Sequence, residues 1–118
     1  MKYIIIHNPR CSKSREALKM LDNSKVKYEI REYLKNTLDV NEIKDLQEKL
    51  SLPVIDFTRT WEPAFKQAWL SRDSSDDEII AAMQRYPKLI ERPIVYSETS
   101  AVVGRPPENV LEFISKRI

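Results

Sequence analysis

One cysteine and one histidine stand close together in a chain of 118 residues, within the segment His7-Asn8-Pro9-Arg10-Cys11-Ser12-Lys13-Ser14-Arg15. A lone cysteine forms no internal disulfide, so its sulfur is a packing thiol, a metal ligand without thiolate partners, or a reactive group. Three features favour reactivity. Cys11 lies in a polar stretch, whereas a filler cysteine is expected on the apolar face of an element. Arg10, Lys13 and Arg15 bring positive charge near it, which favours thiolate over thiol. A helix starting at Cys11 would add the partial positive charge of its unsatisfied N–H groups. The same amides and cations suit a small oxyanion, so a nucleophile and an anionic substrate can share one site. The opposing reading is a solvated cationic face around an inert thiol. His7, four residues before the sulfur, is placed to orient or electrostatically stabilise a thiolate, although a lone histidine is more often structural. One cysteine and one histidine fall short of the ligands a zinc site needs, so no metal is expected.

The elements that must position this segment follow from periodicity. Tyr3-Ile4-Ile5-Ile6-His7 reads as a strand covered on both faces, stopped by Asn8-Pro9. From Ser12 to about Asn23, Ala17, Leu18 and Leu21 recur at helical spacing, with Ser12 or Ser14 as the expected N-cap. Val26, Tyr28 and Ile30 then alternate with charged residues as a strand does, giving a parallel β-α-β unit with Cys11 at its strand-to-helix junction. Asp39 with Glu42 and Ser75 with Glu78 have capping-box spacing ahead of two apolar helical runs. Between them Trp61, Phe65 and Trp69, four apart, predict a helix or helical turn packing its aromatics on a neighbour. Pro93 to Tyr96 and Ala101 to Val103 read as a hairpin. Arg105-Pro106-Pro107, after the only glycine, Gly104, opens a helix carrying Val110, Leu111 and Ile114, with proline in its first turn. The order β-α-β, helices, β-β-α predicts an α/β fold with a mixed sheet of the thioredoxin plan in a single domain spanning 1–118.

Composition bounds the function. Twenty basic against eighteen acidic residues give a net charge of +2, too balanced for the clustered basic face of a nucleic-acid binder. The longest aliphatic run near the start, Ile4 to Ile6, is far too short to span a bilayer or to form a signal peptide. A cytoplasmic protein without a membrane partner is therefore expected.

Three signatures, His-Asn-Pro-x-Cys-x-x-Ser-Arg at 7–15, Arg-Pro-Ile-Val at 92–95 and Gly-Arg-Pro at 104–106, resemble the glutaredoxin-linked arsenate reductases of the ArsC type. The similarity runs over nearly the whole chain. It implies that Cys11 attacks arsenate while Arg92, Arg105 and a mid-chain arginine matching Arg59 hold the oxyanion. His7, Asn8, Ser14 and Pro93 take supporting places, and the thioredoxin-like fold implies a cis bond before Pro93. The resemblance further implies no bound cofactor, with glutathione and glutaredoxin as external reductants, because the chain has no second cysteine to resolve an adduct. Around the thiol, Arg10, Ser12 and Lys13 depart from the family's smaller or less charged residues. Two alternatives stay open: a general glutathione-dependent thiol oxidoreductase, and a regulator like Spx, which shares this fold and binds RNA polymerase. The Spx reading lacks its Cys-x-x-Cys switch, since Ser14 stands three residues after Cys11.

Overall fold

In a computed structural model, which describes residues 2–115, the early aliphatic run is the strand β1 (Lys2–Ile6). It leads through the cysteine segment into the helix α1 (Ser12–Asn23) and on to β2 (Lys27–Arg31). Two helices with the predicted caps follow, α2 (Val40–Leu50) and α4 (Asp76–Arg85), with the short α3 (Pro63–Gln67) between them. The chain closes with β3 (Ile94–Tyr96), β4 (Ala101–Val103) and α5 (Glu108–Ser115). Two compact units result, one from the stretches up to Asn36 and from Arg92 onward, the other Thr37–Glu91.

The first unit holds the sheet, in the order β2-β1-β3-β4. β1 pairs parallel with β2 and antiparallel with β3, so Ile5 has Ile30 on one side and Val95 on the other. β3 and β4 form the expected hairpin, with Ile94 opposite Val103. A parallel half and an antiparallel half thus meet at β1, as the element order predicted. Alternation along β1 sends Tyr3 and Ile5 into a core with Ala17 and Leu21 of α1, Val95 of β3, and Val110, Phe113 and Ile114 of α5. The rings of Tyr3 and Phe113 meet edge to face at 5.9 Å. This packing pins both ends of the cysteine segment to rigid elements.

In the second unit, Asp39 and Ser75 each accept from the backbone N–H three residues on, and Glu42 and Glu78 return the bond. Each of these caps contributes about 1 kcal/mol. α2 and α4 lie side by side, with Gln47 Nε2 donating to Asp76 Oδ2 at 2.9 Å and Val40 N–H to Gln84 Oε1 at 2.8 Å.

Three expectations need correction. Neither Ser12 nor Ser14 caps α1: the N-cap is Cys11 itself, in extended backbone and without a capping side-chain bond. The aromatic trio does not share a helix face. Pro63 starts α3 and bars the helix from running through Trp61, while Trp69 stands beyond the helix at φ 58° in the left-handed region. Only Phe65 is buried, and Trp61 and Trp69 are 64% and 93% exposed. Pro106 and Pro107 precede α5 and do not occupy its first turn, their carbonyls accepting from Asn109 and Val110 N–H.

Candidate active site

The loop from His7 to Cys11 is folded by its own polar groups. Asn8 Oδ1 accepts from Arg10 N–H at 3.0 Å, and Asn8 O accepts from Cys11 N–H at 3.0 Å, a turn of the kind asparagine side chains favour. Ser14, fully buried on α1, accepts from Asn8 N–H at 3.1 Å, and its hydroxyl is joined to His7 Nδ1 at 2.7 Å. His7 N–H in turn donates to Arg31 O at 2.9 Å, which ties the loop to the end of β2. These bonds hold Cys11 at the N-cap of α1, where it is partly exposed.

Two arginines from the far end of the chain reach that sulfur. Arg105 Nη2 lies 3.4 Å from Cys11 Sγ, and Arg105 Nε donates to the backbone carbonyl of Arg92 at 2.7 Å. Arg92 places its guanidinium within hydrogen-bonding reach of the sulfur and donates from Nη1 to the phenol oxygen of Tyr33 at 3.4 Å. The hairpin sets this up, because Arg92 enters β3 and Arg105 leaves β4 at the same end of the sheet. Gly104 fits the crossing. A Cβ there would meet Pro93 Cγ at 2.8 Å and Val110 Cγ2 at 3.1 Å, and its N–H donates to Pro93 O at 2.8 Å. The Arg92–Pro93 bond is cis as expected; Arg105–Pro106 is cis as well, which the sequence reading did not foresee.

The electrostatics follow from these neighbours. Burial is the largest single influence on Cys11 and by itself pushes the thiol up. The backbone N–H of Ser14, the Arg92 guanidinium, the charge of Arg105 and the backbone N–H of Lys13 outweigh it, and the thiol falls below its ordinary value. The helix terminus therefore acts as the sequence suggested, but Arg92 and Arg105 take the part expected of the Arg10, Lys13 and Arg15 side chains. Arg15 is turned to Pro9 O at 3.0 Å, and Lys13 lies 3.9 Å from Glu16. His7 is held below its ordinary value chiefly by burial, with Arg15 adding to this and Glu32 and Ser14 opposing it, so it is neutral near pH 7. Its link to the site runs through Ser14.

Arg59 belongs to the second unit. Its Nη1 is 3.0 Å from Glu91 Oε1, its Nε is 3.4 Å from Glu62 Oε1, and its guanidinium lies over the Trp61 ring at 4.8 Å. Two carboxylates thus hold the third expected arginine. The sequence reading missed both of them, and missed Tyr33, whose place at the end of a strand carries no local signal of its partner. No cluster of metal-ligating side chains occurs among the described residues, and no helix there is long and apolar enough to cross a membrane.

The ArsC family model matches residues 6–113, a span that takes in Cys11, Arg92 and Arg105. The chain belongs to the ArsC family. It is 41% identical over 116 residues to an arsenate reductase of Haemophilus influenzae, covering 97% of this chain and all of that one. It is 42% identical over 112 residues to the uncharacterized protein YfgD of Escherichia coli, covering 93% and 94%. Among solved structures, an arsenate reductase from Vibrio cholerae superposes with a TM-score of 0.89 at 45% identity, covering 95% of this chain and 97% of that one. The family's thioredoxin-like α/β fold is the one described above.

Proposed function

We propose that the protein reduces arsenate to arsenite at Cys11, using glutathione and glutaredoxin as external reductants and no bound cofactor. The observation that carries this is the placement of Arg105 Nη2 at 3.4 Å from the sulfur, with the Arg92 guanidinium beside it, at the amide end of α1 in a member of the ArsC family. Fixed guanidinium groups around a nucleophile suit a tetrahedral oxyanion, which accepts bidentate bonds from their planar forks.

The Cys11 thiolate attacks arsenic, and an arsenate oxygen leaves as water once protonated. The thiolate of glutathione then displaces a second oxygen, leaving arsenic(V) bonded to both sulfurs. A glutaredoxin thiolate attacks the glutathione sulfur, the arsenic–sulfur bond breaks, and its electron pair stays on arsenic, which becomes trivalent. Glutaredoxin departs as the mixed disulfide with glutathione. Water releases arsenite from Cys11. Glutathione and glutaredoxin each supply one electron of the pair, and Cys11 ends as it began. Reduced glutathione places this chemistry in the cytoplasm. Arg92 and Arg105 form the clamp, and Arg59, which the resemblance implies as a third member, is held by Glu62 and Glu91. His7, Asn8, Ser14 and Pro93 shape the loop and the strand that present the sulfur and the arginines.

A second reading rests on the low-lying thiol of Cys11 and its partial exposure, which also suit a general glutathione-dependent thiol oxidoreductase. One experiment separates them. Arsenate-dependent NADPH oxidation, coupled through glutathione, glutaredoxin and glutathione reductase, is expected for the wild type and is expected to be lost in Cys11→Ser. Turnover of a glutathione mixed disulfide with none of arsenate would overturn the first reading in favour of the second.

A further inference from the structure

Tyr33 lies two residues past the end of β2 and is 0% exposed. Phenylalanine would fill that space equally well, and a buried hydroxyl costs free energy unless it is hydrogen-bonded. The hydroxyl is used: it accepts from Nη1 of Arg92. We propose that Tyr33 is a positioning residue of the active site, whose phenol oxygen fixes the Arg92 guanidinium in the orientation that meets Cys11 and the anion bound there.

The geometry gives this position leverage. A guanidinium is planar, so holding one Nη sets the direction of the remaining donors. The guanidinium meets Cys11 through a side-chain hydrogen bond, and the backbone carbonyl of the same arginine holds Arg105 Nε at 2.7 Å. Both clamp arginines are therefore referred to one residue, Arg92, whose side chain is steadied by Tyr33. The bond from His7 N–H to Arg31 O, two residues before Tyr33, ties this segment to the cysteine loop. Tyr33 acts on the site through Arg92.

The inference rests on the oxyanion reading of the site, and its test keeps the two apart. Tyr33→Phe keeps the ring and removes the acceptor. Alkylation of Cys11 by iodoacetamide, followed against pH, needs no arsenate; its inflection is expected to move up by several tenths of a pH unit as Arg92 loosens. In the coupled assay kcat/KM for arsenate is expected to fall three- to tenfold, on the order of what one ordinary hydrogen bond contributes net, as suits a bond of 3.4 Å. In an Arg92→Lys background the same change is expected to have no further effect. An unmoved inflection, or an equal loss in both backgrounds, would overturn the proposal and reduce Tyr33 to packing. If even the wild type fails to reduce arsenate, the function is wrong, and the alkylation profile still decides the role of Tyr33. Should Tyr33→Phe not fold, 3-fluorotyrosine at this position, whose oxygen is a poorer acceptor, is expected to give the same upward movement in smaller measure, and no movement would overturn the proposal.

Discussion

Arg105→Lys tests the clamp most sharply, because it keeps the charge and removes the geometry. Arg105 makes two contacts with different atoms of one guanidinium, Nε to Arg92 O at 2.7 Å and Nη2 to Cys11 Sγ at 3.4 Å. A lysine ammonium is a single point and cannot span both, so either the backbone anchor or the bond at the sulfur is given up. Hydrogen bonds to charged groups contribute about 1.5–3 kcal/mol, and the exposure of Arg105 argues for the low end. About 1.4 kcal/mol corresponds to tenfold in rate, so kcat/KM for arsenate should fall about tenfold. The coupled NADPH assay measures this directly. The melting temperature should hardly move, since no core contact changes, and Cys11 should still be alkylated by a neutral reagent. Full arsenate activity in Arg105→Lys and in Arg92→Lys alike would refute the clamp and make the general thiol reductase the better reading.

Other perturbations probe the surrounding structure. The alkylation rate of wild-type Cys11 should show its inflection below the ordinary thiol value, and one at or above it would remove the electrostatic argument. Since the folded thiol is the more acidic, it adds stability above the unfolded pKa that is lost as pH falls through the folded one; urea unfolding should show the wild type gaining on Cys11→Ser from pH 6 to pH 9.5. His7 is also held below its unfolded value, so its contribution is present above about pH 6.5 and lost as pH falls further, a loss that should be flatter in His7→Asn. Gly104→Ala forces a Cβ to within 2.8 Å of Pro93 Cγ; a loss of about 1–3 kcal/mol by denaturant, with reduced arsenate turnover, is expected because the residues that shift adjoin Arg92 and Arg105.

What the sequence revealed depended on how far apart the interacting residues lie. β1, α1 and β2 were legible because apolar periodicity over a few residues decides which face is buried, and the capping boxes of α2 and α4 because both partners lie within one turn. The aromatic trio misled for the converse reason. Its four-residue spacing is helical on paper, but Pro63 and the left-handed Trp69 divide it among unlike backbone conformations. The thiol's setting was legible in kind, as an amide-rich helix start, and misread in detail. Arg10, Lys13 and Arg15 are near Cys11 in sequence, yet Arg105, 94 residues away, is near it in space. No local pattern announces such a meeting, and only the family signatures pointed to Arg92 and Arg105. Tyr33 had neither kind of signal, because its function lies in a bond to a residue 59 positions on.

The site reconciles two demands that pull against each other. In the proposed reaction the single sulfur must stay open to an external thiol, and neither Cys11 nor Arg105 is buried. Openness lets water screen the arginines, which weakens their hold on a thiolate and on an anion. Deep burial would strengthen both holds but would push the thiol up and shut the reductant out. The arrangement escapes the choice by dividing the work. The N–H groups of Ser14 and Lys13 are fixed by the helix itself and need no ordering of long side chains to meet the sulfur, so exposure costs them little. Arg92, half-buried and held at Tyr33, supplies a fixed fork; Arg105, exposed and anchored on Arg92 O, supplies charge at the open side. Sulfur acidity thus draws on helix amides and arginines together, and anion binding in the proposed reaction on the two arginines. Substitutions in the clamp should therefore alter which oxyanion is turned over well before they silence the thiol.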